Sequence, residues 1–140
     1  MVIDNLSNSK IDVKEKIKTI TNKDFTLYTS DLRNKSDIES IFANHTIDGI
    51  IHFAAFKAVG ESCEKPFEYY DNNINGGNIL YQTALTHNIK KIVFSSSCTV
   101  YDTTQTQAPY DESCPRATIN PYGSTKFISE IILKDLATHK

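Results

Sequence analysis

The chain has 140 residues, 39% of them hydrophobic and 23% charged, with a formal net charge of -2. That length suits one modest domain with a core of its own, and the composition is ordinary for a globular protein. A near-neutral balance without a basic cluster excludes nucleic acid as the main partner; no apolar run reaches membrane length, and no signal peptide is read. Cys63, Cys98 and Cys114 are odd in number, widely spaced and free of any C-x-x-C pattern. Neither a disulfide framework nor a metal site is expected, and a reducing cytoplasm is the simplest location.

In chain order, "MVID" (1 to 4) reads as a strand at its end and "DVKEKIKTI" (12 to 20) as an amphipathic helix. "FTLYTSDL" (25 to 32) is strand-like, and "SDIESIFANH" (36 to 45) has a serine cap and helical spacing. "DGIIHFAAF" (48 to 56) holds a short continuous apolar strand, as a sheet covered on both faces requires. A long helix is predicted from Pro66 to about His87, with proline in its first turn. "KIVFSSS" (91 to 97) is the next buried strand, and "TTQTQAP" (103 to 109) is the most loop-like run. A second long helix runs from Pro121 to about Thr138. Strands alternating with helices imply a parallel sheet wound by right-handed crossovers, so the fold class is α/β.

Ligands of such sheets bind beyond the carboxyl ends of the strands. Asp4 ends the first strand, where a carboxylate can accept hydrogen bonds from ribose hydroxyls. Asp31 and Leu32 follow the second strand. His52, Phe53, Ala54 and Ala55 follow the third, with small residues that let a ligand approach the backbone. Ser95, Ser96 and Ser97 close the fourth. Each has an ordinary alternative: a terminal aspartate caps helices, small residues pack tightly, and serines satisfy loop backbone. Their common place at the strand ends of one sheet is what gives them weight.

"NPYGSTK" (120 to 126) sets a tyrosine and a lysine four residues apart, just behind a proline. On a helix, Tyr122 and Lys126 lie one turn apart on one face. An ammonium there favours the charged form of the phenol, which can then act as a general base. Chance nearly supplies one such pair in this composition, so the neighbouring motifs have to decide.

Five stretches do so: "DNLSNS" (4 to 9), "IIHFAAFKAVGES" (50 to 62), "YYDNNINGG" (69 to 77), "FSSSCTVYD" (94 to 102) and "NPYGSTK". In this order and at these intervals the chain resembles the UDP-glucose 4-epimerase family of extended short-chain dehydrogenase/reductases, over essentially its whole length. The resemblance implies an NAD-binding, Rossmann-like doubly wound sheet, and NAD-dependent interconversion of UDP-glucose and UDP-galactose through a 4-keto sugar. It makes Tyr122 the catalytic base, Lys126 the lysine that holds the nicotinamide ribose, and Ser97 the serine bridging the sugar hydroxyl and the tyrosine. Thr99 lies near the substrate. Asp4, Asn5, Leu6, Ser7, Asn8 and Ser9 match the adenosine-ribose segment, and Asp31 and Leu32 lie near the adenine. Phe53, Ala54, Ala55, Phe56 and Lys57 run along the cofactor, with Asn72 nearby.

The chain also departs from the family pattern. Ala55 and Asp102 stand where glycine is usual, and Cys98 where alanine is usual. All five glycines, at 49, 60, 76, 77 and 123, lie outside any glycine-rich turn after an opening strand. The chain therefore reads as an internal fragment: residues 1–140 form part of an NAD-binding domain whose first, central strand is missing, without the substrate domain. Such a fragment is expected to be inactive alone. Two other readings follow: a nucleotide-sugar 4,6-dehydratase, and a non-catalytic remnant serving at most as a binding module. A dehydratase would carry an Asp-Glu pair where "CTVY" stands, which favours epimerisation. Broad apolar surfaces on the two long helices, including Phe67, Tyr70, Ile74, Leu80, Ile128, Ile131, Ile132 and Leu136, together with the resemblance, imply a homodimer built as a four-helix bundle.

Overall fold

Strands and helices alternate through a computed structural model that describes residues 1–105 and 107–139. The elements are β1 (Val2–Asp4), α1 (Asp12–Thr21), β2 (Leu27–Thr29), α2 (Lys35–Ala43), β3 (Ile50–His52), α3 (Val59–Glu64), α4 (Pro66–Tyr70), a π turn (Asp71–Asn75), α5 (Gly76–Thr86), β4 (Ile92–Phe94), a 3-10 turn (Cys98–Val100) and α6 (Pro121–Thr138). Within the loop-like run 103 to 109, the described residues carry no helix or strand; Thr106 lies outside them.

The strands form two separate parallel pairs. Ile3 of β1 sits opposite Tyr28 of β2, and Ile51 of β3 opposite Val93 of β4. Among the described residues no ladder joins β1 to β3. With the central strand missing, the facing edges of β1 and β3 do not pair with each other.

One helical layer covers both pairs. Ile38, Ile41 and Phe42 of α2 pack with Leu80, Tyr81 and Ala84 of α5 and with Ile89, and Ile3, Tyr28, Ile50 and Ile92 rest on that cluster. Alternation along a strand sends the residues between them to the other face. There Ile51 and Val93, paired across the ladder, are 66% and 63% exposed. The expectation of a sheet covered on both faces is thus corrected: the core-forming helices lie on one side. Helix α1 contributes no buried residue.

Local boundaries follow identifiable chemistry. Asn34, not a serine, caps α2 by accepting from the Asp37 N–H, while Ser36 lies inside the first turn. The long helix predicted over 66 to 87 is interrupted: between α4 and α5 the backbone widens into the π turn that carries Asn72 and Asn73. Helix α3 was not foreseen; it ends at Lys65, where the following proline disfavours helical backbone. Helix α6 keeps its predicted bounds. Asn120 accepts from the Gly123 N–H at 2.7 Å, and Pro121 occupies the first turn, where no N–H is needed.

Candidate active site

Helix α6 presents Tyr122 and Lys126, one turn apart, to the end of β4. Both are buried, with 9% and 4% of their surface exposed. The Lys126 ammonium donates to the Ser95 carbonyl at 2.8 Å and lies 4.8 Å from the Phe94 ring centroid and 5.9 Å from that of Tyr122. Burial pushes its pKa down to about 8. Desolvation disfavours an isolated cation, and the carbonyl and two ring faces only partly replace water. His52, at the end of β3, is also buried; desolvation first, and the Lys126 charge second, push its pKa down to about 4.

Ser97 precedes the 3-10 turn, and its Oγ accepts from the Thr99 N–H at 3.2 Å and the Thr99 hydroxyl at 2.9 Å. Among the described residues no hydrogen bond joins Ser97 to Tyr122. The turn packs hard against α6 at Gly123: a Cβ there would lie 2.7 Å from the Thr99 carbonyl oxygen. Helix propensity alone favours alanine by about 1 kcal/mol, but displacing backbone costs roughly 1–3 kcal/mol. Gly123→Ala is therefore expected to destabilise the protein, and the urea midpoint measures this. An unchanged or higher midpoint would mean that the turn yields freely.

Phe53, Ala54, Ala55, Phe56 and Lys57 form a ribbon beyond β3, with Phe53, Ala54 and Lys57 exposed and Ala55 and Phe56 half-buried. Its conformation is set from below. Asn73, 5% exposed, accepts from the Phe56 N–H at 2.8 Å and donates to the Phe56 carbonyl and to the Thr125 hydroxyl, each at 3.0 Å. Asn72 donates to the Asn73 side-chain oxygen. The Tyr69 hydroxyl accepts from the Ala58 N–H and donates to Glu61, and burial raises its pKa to about 12. The stretches "KAVGES" and "YYDNN" are thus two halves of one clamp. Asn73 is the residue sequence reasoning missed. Its only trace was its place in the quoted motif, since a buried amide needs partners on both sides.

A second cluster lies beyond β1 and β2. Asp4 Oδ1 accepts from the Leu6 N–H and the Ser9 hydroxyl; Asn5 donates to Asp31, and Ser7 and Asn8 are exposed. Leu6 has a positive φ of 56°, which this aspartate turn supports. Asp31 also takes Arg33 as a two-pronged partner, with Nε on Oδ1 at 2.9 Å and Nη2 on Oδ2 at 2.7 Å. The guanidinium holds the Asp31 carboxyl well below the usual carboxylate range. Arg33 Nη1 also reaches Asp71 of the π turn at 2.7 Å, and Leu32 lies against Gly76 at the start of α5. The two clusters are therefore tied together through Arg33, a residue sequence reasoning did not select. Asp102, noted as a departure from glycine, is buried and accepts from the Thr104 N–H and hydroxyl.

A family model described as GDP-mannose 4,6 dehydratase matches residues 1–140. The UDP-glucose 4-epimerase of Bacillus subtilis is 47% identical over 138 residues, which cover 99% of this chain and 40% of that protein. The UDP-glucose 4-epimerase of Dictyostelium discoideum is 43% identical over 97% of this chain and 39% of its own length. The crystal structure of UDP-glucose 4-epimerase from Bifidobacterium longum in complex with NAD+ and UDP superimposes with a TM-score of 0.92, at 44% identity, over 96% of this chain and 41% of that one. The Stenotrophomonas maltophila UDP-glucose-4-epimerase, with bound NAD and formylated UDP-arabinopyranose, gives 0.93 at 38% identity over 99% and 42%. The chain thus spans about 40% of the length of the curated relatives it matches. Matched along its whole length, and superimposing closely on these Rossmann-fold epimerases, the chain belongs to the GDP-mannose 4,6 dehydratase family, and its curated relatives there are UDP-glucose 4-epimerases.

Proposed function

We propose that the full-length protein interconverts UDP-glucose and UDP-galactose at C4 in an NAD-dependent reaction. The observation that carries this reading is the buried Tyr122–Lys126 pair on α6, held against the Ser95–Ser97 strand end. In this reading Tyr122 takes the proton from the sugar 4-hydroxyl and returns it. Ser97, next to Thr99, aligns that hydroxyl, and Lys126 holds a cation beside the phenol. NAD, when bound, supplies the acceptor and donor of the C4 hydride.

The residues present suit that cofactor. Asp4 has one carboxylate oxygen outside its turn hydrogen bonds, available to ribose hydroxyls. Asn5 to Ser9, Asp31 and Leu32 flank it, and the exposed Phe53–Ala54 ribbon lets a dinucleotide approach backbone. Lys57 and Asn72 border that ribbon. We further propose a homodimer: Phe67 on α4 and Ile131 on α6, helices that pack together, are 87% and 44% exposed. A cytoplasmic location is part of the same reading; no described helix is long and apolar enough to cross a membrane.

The test is product analysis. Full-length protein given UDP-galactose is expected to yield UDP-glucose, without loss of water and without net change in NAD. A 4-keto-6-deoxy product would instead establish the dehydratase reading, for which "CTVY" after the serine strand offers no carboxylate. No conversion of any UDP-sugar would refute the epimerase reading. Residues 1–140 alone, with the edges of β1 and β3 unpaired, are expected to bind NAD weakly and to show no turnover.

A further inference from the structure

The Tyr122 and Lys126 face of α6 continues for one more turn, to Glu130. That side chain is bound on two sides. The Ser96 hydroxyl donates to Oε1 at 2.5 Å, and Arg116 Nε lies 3.6 Å from Oε2. Glu130 is 24% exposed and Arg116 41%, so the ion pair alone is screened and weak. The hydrogen bond is the stronger tie, because its acceptor is charged and partly shielded.

Its position gives it a use. Ser95 and Ser96 are adjacent residues just past the end of β4, and each is fastened to α6 by a side chain one helical turn from the other. Lys126 holds the Ser95 carbonyl and Glu130 holds the Ser96 hydroxyl. Among the described residues, the β3–β4 ladder supports this segment only through the Ser95 N–H bond to the His52 carbonyl. Ser97 and Thr99, which follow, bond to each other and, among the described residues, not to α6. Arg116 adds a second brace from the returning chain, where it bridges to Tyr101 just after the 3-10 turn.

We propose that Glu130 is a positioning residue: by accepting from Ser96 and pairing with Arg116, it holds the serine-rich strand end where the Ser95 carbonyl meets the Lys126 ammonium and the Ser97–Thr99 turn meets the start of α6. The proposal rests on Tyr122 and Lys126 being the acid–base pair. Small displacements of aligned groups are expensive in rate, so loss of the tie should appear in kcat more than in KM.

The experiment is a double-mutant cycle in the full-length protein with UDP-galactose. Glu130→Ala is expected to lower kcat roughly ten- to hundredfold with KM little changed. Glu130→Gln keeps an acceptor for Ser96 and should recover most of the rate. Ser96→Ala should match Glu130→Ala, and the double variant should be no slower than either, the mark of one shared interaction. Lysine-selective NMR titration gives a readout independent of turnover. Lys126, faced by His52 from β3 and by Tyr122 and Glu130 on its own helix, should titrate lower in Glu130→Ala and in Ser96→Ala, having lost a steady carbonyl acceptor. In Glu130→Gln it should follow the wild type.

Equal impairment by Gln and Ala would replace positioning by a through-space charge effect. Additive losses, or a lowered melting temperature with unchanged kcat, would overturn the proposal. If Glu130→Ala does not fold, Ser96→Ala carries the same comparison. Retained turnover in Tyr122→Phe, with Lys126 still shifted in Ser96→Ala, would reject the acid–base reading and leave the tie standing.

Discussion

Tyr122→Phe in the full-length protein is expected to leave folding and NAD binding intact while lowering turnover by roughly 10²- to 10⁴-fold, the usual contribution of a positioned acid–base group. The prediction is sharp because the phenol oxygen makes no hydrogen bond to the rest of the described chain, so its removal leaves no orphaned partner in the protein. Ring packing on α6 is kept, and Lys126 retains the Ser95 carbonyl at 2.8 Å. Steady-state epimerisation, with NAD content measured on the same preparation, separates lost chemistry from lost cofactor. Near-normal turnover would remove Tyr122 from the mechanism.

The second large effect is on stability in acid. His52 is 4% exposed, edge-on to Tyr81 and tilted against Phe94. Its pKa lies near 4 in the fold against an ordinary 6.5. The unfolded chain therefore binds more protons between those values, and stability falls as the pH drops from 6.5 towards 4. The full difference is about 3 kcal/mol, complete below the folded pKa and absent above the unfolded one. Asp31 acts in a separate, lower window: its depressed pKa supports the fold above 3.8, and that support is lost only in stronger acid. Urea unfolding at pH 7 and pH 4.5 should show most of the His52 loss, and His52→Leu should flatten it. A pH slope unchanged in His52→Leu would assign the acid sensitivity elsewhere.

What was legible in the sequence was local. Helix α6 was bounded correctly because proline, a capping asparagine and a continuous helical pattern act within a few residues of each other. The strand cores were found because short apolar runs mark them, but β2 and β4 end at Thr29 and Phe94, before the predicted Leu32 and Ser97. Apart from those ends and one local cap, the failures were interactions at a distance. That cap is Asn34 rather than Ser36 on α2, its side chain accepting from the Asp37 N–H three residues on. The break in the helix from Pro66 coincides with Asn73 reaching 17 residues back to Phe56 and 52 residues forward to Thr125. No periodicity rule contains those pairings. Arg33 escaped notice for the same reason, since its second partner, Asp71, is 38 residues away. The site residues came largely from motif resemblance, and the structure joins two of those motifs: the Tyr69 hydroxyl donates to Glu61, and Asn73 bonds both backbone groups of Phe56.

The split sheet has a further consequence, for how the chain behaves in bulk. The Val2 and Ile50 amides point to their partner strands, so by alternation the Ile3 and Ile51 amides point the other way, toward edges that no strand occupies among the described residues. Each pair thus carries a short row of free donors and acceptors, and beside the second row lies the apolar couple Ile51–Val93. Edges of that kind are adhesive toward other extended chains. At three residues per strand they are too short to seed long fibrils readily, and loose self-association is the expected outcome.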